Sequence, residues 1–147
     1  MIDPTHSEVV ILRSVKKFFV DNFPSYPLFF EPVTRQPATG ATPEPFWLCI
    51  LPSGRVNDAL SSADIQINIF VESAADGIAS AEIRDNVLSK LMDLTQTDGC
   101  QRMVCYDAAW SPLYTARISI LGDADYTAYM DGLGLRIISF RLHWGAK

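Results

Sequence analysis

Apolar and polar residues alternate almost without error along Ala63-Asp64-Ile65-Gln66-Ile67-Asn68-Ile69-Phe70-Val71. A period of two puts Ile65, Ile67, Ile69 and Val71 on one face of a strand and commits that face to burial. After a short break the period lengthens. Ile83, Val87, Leu88, Leu91 and Leu94 recur at helical spacing in a helix predicted from about Gly77 to Leu94, a stripe suited to covering such a strand. That helix would be roughly 27 Å long. Asp76 is placed to cap it, and Thr97-Asp98-Gly99 supplies a turn beyond it.

A first helix is expected nearer the start. Thr5-His6-Ser7-Glu8 has the spacing of a capping box, and Val9, Leu12, Val15 and Phe19, widened by Ile11 and Phe18, form its stripe. Arg13, Lys16, Lys17 and Asp21 lie largely away from that stripe, and Pro24 closes the helix near Phe23. Pro24, Pro27, Pro32, Pro37, Pro43 and Pro45, out of nine prolines, crowd into residues 24–45. A short strand is read near Leu28 to Val33, then an extended, nearly uncharged loop over 34–45 that is either mobile or clamped by a neighbour.

Phe46-Trp47-Leu48-Cys49-Ile50-Leu51 is a continuous apolar run and reads as a central strand; Arg55 to Ser62 is a polar connector. Met103 to Tyr106 reads as a strand that stops near Trp110-Ser111-Pro112. Arg117-Ile118-Ser119-Ile120 alternates, but Gly122-Asp123-Ala124-Asp125 is expected to break it. In the last element, Asp131 to Trp144, residues Leu133, Leu135 and Ile137 share one face; Ile138, Phe140, Leu142 and Trp144 share the other. The switch at Ile137-Ile138 predicts a bulge or a strand buried on both faces. The order of elements predicts an α+β fold, a mostly antiparallel sheet with two helices packed on one face. The 147 residues are expected to form one domain, 1–147.

Composition narrows the function. Charged residues make up 20% of the chain, below the usual quarter, so part of the surface is expected to face other protein. The net charge is −5 and no Lys/Arg cluster exceeds Lys16-Lys17, which argues against tight nucleic-acid binding. Cys49, Cys100 and Cys105 are an odd number in apolar surroundings, as expected of free thiols in a reducing compartment. Met1-Ile2-Asp3-Pro4 does not begin like a secretory signal, and no apolar segment approaches a bilayer span.

Reactive groups are sparse. A thiol nucleophile needs a base beside it, and the two histidines are His6 and His143. Cys105 could meet His143 across a sheet, but no spacing asks for it; core thiols and an ordinary histidine are the simpler reading. Asp123, Asp125 and Asp131 fail the calcium-loop pattern, because the sixth and twelfth positions counted from Asp123 are Ala128 and Gly134. Cys100 and Cys105 are too few and too badly spaced for structural zinc. Asp58, Asp64, Glu72 and Asp107 are the carboxylates available for acid–base work, with no pairing evident. Asp131-Gly132-Leu133-Gly134 lacks the helix a phosphate loop needs. No cofactor, metal or catalytic residue is assigned. The aromatics in or near predicted loops are the better candidates. Phe29, Phe30, Trp110, Tyr114, Tyr126 and Tyr129, with Arg117, are read as an oligomer or partner interface.

The layout also resembles a known family. An N-terminal amphipathic helix leads to a proline-bearing segment and the strand Phe46 to Leu51. The strand Asp64 to Val71 and the helix Ala79 to Leu91 follow; a loop with Trp110 and Arg117 precedes the closing strand Leu135 to Leu142. This resembles the tail terminator, or tail completion, proteins of tailed bacteriophages. The resemblance covers most of the chain and implies a small α+β protein forming a ring, usually a hexamer, that caps the tail tube and joins it to the head connector. It implies no cofactor. Its implied partners are further copies of the chain, the tail tube protein, and neck, connector or sheath proteins. The implied location is the virion, after assembly in the host cytoplasm. The proline content of 24–45 and the length of 110–131 depart from the family pattern. A small-molecule-binding or regulatory module is the alternative, and a thiol or histidine enzyme the third class.

Overall fold

The alternating segment lies inside the main sheet of the computed structural model, which describes residues 8–31, 38–39, 42–52, 62–72, 77–126 and 133–144. Its strand, β5 (Ser62–Glu72), pairs along its whole length with the last strand, β8 (Leu133–His143), from Ser62↔His143 to Glu72↔Leu133. On its other side it pairs with β4 (Phe46–Pro52). Beyond β8 come β7 (Pro112–Asp125) and β6 (Arg102–Tyr106); β1 (Leu28–Phe29) lies outside β4, giving the order β1-β4-β5-β8-β7-β6. Ala38–Thr39 (β2) and Thr42–Pro43 (β3) form a separate two-stranded ribbon within the proline-rich segment. The helices are α1 (Glu8–Asn22) and α2 (Ile78–Leu91). The fold is α+β.

The sheet is mixed, which corrects the expectation of a mostly antiparallel one. β1 runs parallel to β4, with Leu28 beside Leu48 and Phe29 beside Cys49, while the other pairings are antiparallel. A parallel neighbour needs a long connection, and residues 30–45 provide it. The Leu48 amide also donates to the Pro27 carbonyl at 3.0 Å, extending the pairing.

Alternation then sorts side chains between two clusters. Ile65, Ile67, Ile69 and Val71 of β5 join Ile138, Phe140 and Leu142 of β8 in the main core, along with Val10, Ile11, Val15 and Phe19 of α1 and Ile83, Val87 and Leu91 of α2. Each such side chain contributes about 1.5–3 kcal/mol by leaving water. Trp47, Cys49 and Phe70 form a second cluster, contacted by Phe29, Leu133 and Leu135. Trp47 and Phe70 stack with centroids 5.3 Å apart. The switch at Ile137-Ile138 is therefore a strand contacted on both faces. β8 has no bulge against β5; the register shift sits on β7, between Ile120 and Gly122.

Other boundaries also move. β7 runs through Gly122 to Asp125, because a bulge absorbs the break in alternation. α2 stops at Leu91, and Leu94 lies exposed beyond it. Gly77 is the helix N-cap, at φ 73°, a left-handed conformation that suits glycine. Thr5, the 55–61 connector and Asp76 lie outside the described residues.

One polar group inside α1 ties the helix to the sheet. Ser14 Oγ donates to the Val10 carbonyl at 2.7 Å and accepts the Tyr106 amide at 2.9 Å. Ser14 is fully buried. Ser14→Ala is expected to cost about 1–3 kcal/mol in urea unfolding, because the Tyr106 amide loses its acceptor. A change within experimental error would show that water replaces the hydroxyl.

Candidate interaction surface

α1 carries more apolar surface than one buried face can use. Its inward residues are Val10, Ile11, Ser14, Val15 and Phe19. Val9, Leu12 and Val20 face outward, at 61%, 38% and 48% exposure. The sequence reading placed Val9 and Leu12 on the core stripe; the helix is rotated so that Val10 and Ser14 take that place. The outward residues, with Lys16, still follow helical spacing and form a second stripe.

Two hollows lie along that stripe. The first, of about 390 Å³, is lined by Val9, Leu12, Arg13 and Lys16 on the helix and by Phe30, Leu51 and other apolar groups opposite. The second, of about 620 Å³, is lined by Arg13, Lys16, Lys17, Val20, Asp21 and Trp110. Arg13 and Lys16 stand between the two; the first hollow is a groove with an apolar floor and a cationic rim. Lys16 Nζ stands 5.5 Å from the Phe30 ring centroid. Lys17 Nζ lies 5.5 Å from the Tyr106 ring and 5.8 Å from Trp110. Its hydrogen bond to Asp21, at 2.8 Å, raises the lysine pKa above the ordinary value.

Trp110 is held in place by backbone geometry. Asp107 Oδ1 accepts the amides of Ala109 and Ser111, each at 2.9 Å, and the Trp110 amide donates to the Asp107 carbonyl at 3.1 Å. This closes a turn in which Trp110 has φ 61°. A bulky residue there costs about 1–2 kcal/mol. The turn holds the indole in the second hollow, half exposed and edge-on to Tyr106 at 6.1 Å.

The residues chosen from sequence do not form one patch. Phe30 lines the first hollow and Trp110 the second. Phe29 joins the Trp47 cluster. Tyr114 lies within β7, not in a loop, half-buried and stacked on Trp144 at 6.1 Å. Arg117 also lies within β7, beside His143 in register, with Nη1 3.8 Å from Asp98. Tyr126 follows β7, partly exposed, its amide donating to the Leu135 carbonyl at 2.7 Å. Tyr129 lies outside the described residues. The groove residues that sequence reasoning missed are Val9, Leu12 and Val20; the signal was an apolar content in α1 too large for one stripe.

The candidate reactive groups are dispersed. Cys105 points into the core with Met103, whereas His143 follows Leu142, a core residue, and so faces the other side of the sheet. Burial pushes the Cys105 thiol up to about 11. His143 is lowered by burial and then by the Arg117 and Arg141 charges. Asp64 is held low by a two-pronged contact from Arg141, at 2.6 and 3.0 Å. Among the described residues no three His, Cys, Asp or Glu side chains come together, and no helix is long and apolar enough to cross a membrane.

No family model and no curated protein matches the chain. A solved structure with 16% sequence identity, whose name states no function, is similar over 96% of this chain and 99% of its own, with a TM-score of 0.58. At that identity the likeness speaks for the fold alone.

Two measurements check this surface. Trp110→Gly is expected to change unfolding free energy by less than about 1 kcal/mol, since relief of the left-handed strain offsets the lost ring contact. A loss above about 2 kcal/mol would make Trp110 a core residue. Alkylation of the native protein at neutral pH is expected to modify Cys100 alone, because Cys49 and Cys105 are buried. Rapid modification of Cys105 would contradict its place in the core.

Proposed function

We propose that this chain is a ring-forming structural protein of a tailed-bacteriophage virion, a tail terminator that caps the tail tube and joins the tail to the head or neck. The observation that carries the reading is the second apolar stripe of α1, open along a groove rimmed by cations. Exposed apolar surface gathered in one place marks contact with other protein. The order of elements on which the family resemblance rests, a helix, strands, a second helix and further strands, supports the reading. The ring would be a hexamer, as is usual in that family, and its neighbours would be the tail tube protein and neck, connector or sheath proteins. Each copy brings a net charge of −5, so the assembled ring is strongly anionic. An acidic lumen repels DNA and lets it slide. The site of action is the virion, after assembly in host cytoplasm.

A small-molecule-binding module is the second reading, favoured by one observation: a volume of about 390 Å³ falls within the range of ligand pockets. Sedimentation velocity over a concentration series, followed by electron microscopy and a search of purified tails, separates the two. Closed rings several times the 16.3 kDa chain mass, and presence in tails, are expected. A chain that stays at 16.3 kDa, is absent from tails and is stabilised in a metabolite thermal-shift panel would replace the first reading by the second.

A further inference from the structure

The α1 groove asks for a partner that carries both apolar side chains and carboxylate. Among the described cations, Lys17, Arg84, Arg102, Arg117, Arg136 and Arg141 each have a carboxylate within ion-pair distance. Arg13, Lys16 and Lys90 have none among the described residues. Two of those three stand side by side on the groove rim.

The complementary surface is on the same chain, at the far end of β7. β6 stops pairing at Arg117, and the Ile118 amide donates to the Gln101 carbonyl at 2.9 Å. From Ser119 to Asp125 no strand among the described residues lies outside β7. The bulge between Ile120 and Gly122 skips Leu121 in the register, and Ile120 and Leu121 are both exposed, Leu121 at 49%. Asp123 is engaged by Arg84. Asp125 is 3.7 Å from Arg136 and keeps 50% of its side chain in solvent. This end thus offers two adjacent apolar side chains and an accessible carboxylate.

Position in the sheet decides the kind of contact. The groove borders Leu51 of β4, toward one edge; the β7 end lies toward the other. Patches at opposite edges join copies head to tail, a heterologous contact that closes into a ring when the rotation permits. We propose that the exposed end of β7 in one copy seats in the α1 groove of the next, with Ile120 and Leu121 against Val9 and Leu12, and Asp125 facing Arg13 and Lys16. This rests on the ring reading and identifies its contact.

Cysteine trapping and mixing test it. In a Cys100→Ser background, Leu12→Cys with Leu121→Cys is expected to give a disulfide-linked ladder on mild oxidation, while either cysteine alone gives none. Leu12→Glu with Lys16→Glu blocks the groove; Leu121→Glu blocks the β7 end. Each blocked chain, shown folded by circular dichroism, is expected to associate at least about tenfold more weakly, and the two mixed are expected to form one-to-one dimers that grow no further. A disulfide-linked dimer from Leu12→Cys alone would mean a symmetric α1 contact and overturn the proposal. Wild-type rings left intact by both blocked variants would overturn the proposal and spare the ring; the groove would then serve another virion protein. Absence of both ladder and wild-type rings would remove the two together.

Discussion

The antiparallel pairing of β5 with β8 governs the architecture. It runs unbroken over the 11 residues of each strand and fixes which face every side chain takes. A slip of one residue would expose Ile65, Ile67 and Ile69 and bury Asp64, Gln66 and Asn68. The isoleucine row resists that slip because it lies buried in the main core. Arg141 adds a directional lock, since its contact with Asp64 across the pair exists in one register only. Every other strand of the six-stranded sheet is placed relative to this pair.

That dependence explains what could be read from residues alone. Strict alternation announced β5, and the apolar run 46–51 announced β4, because burial acts directly on those patterns. The parallel partner β1 could not be foreseen. Its two residues carry no period, and its position depends on where the 30–45 connection sends the chain. The extent of β7 was hidden for a different reason. Gly122-Asp123 looks like a break, but a bulge lets the ladder resume with Gly122 opposite Ser139. At α2 the N-cap is a left-handed glycine with no side-chain hydrogen bond to the first turn, where an aspartate one residue earlier was expected to cap.

The interaction surface was half legible. Aromatic content drew attention to Phe30 and Trp110, and the structure places one in each of the two hollows beside α1. Tyr114 is half-buried and stacked on Trp144. The rotation of α1 was not decidable from its stripe. Val9, Val10, Ile11 and Leu12 are four consecutive apolar residues, and such a run fits several phases of a 3.6-residue period. Buried Ser14 breaks the tie: its hydroxyl serves both its own helix and β6, so it faces the sheet and turns Val9 and Leu12 outward.

The position of β8 has a consequence for biosynthesis. It is threaded between β5 and β7, so the centre of the sheet stays open until residues 133–143 have been translated. Before then β4–β5 and β6–β7 are separate hairpins with exposed inner edges, and α1 has no completed sheet to rest on. Open strand edges of that kind are ready to pair with other chains, so the arrival of the last strand closes an interval of vulnerability as well as completing the core.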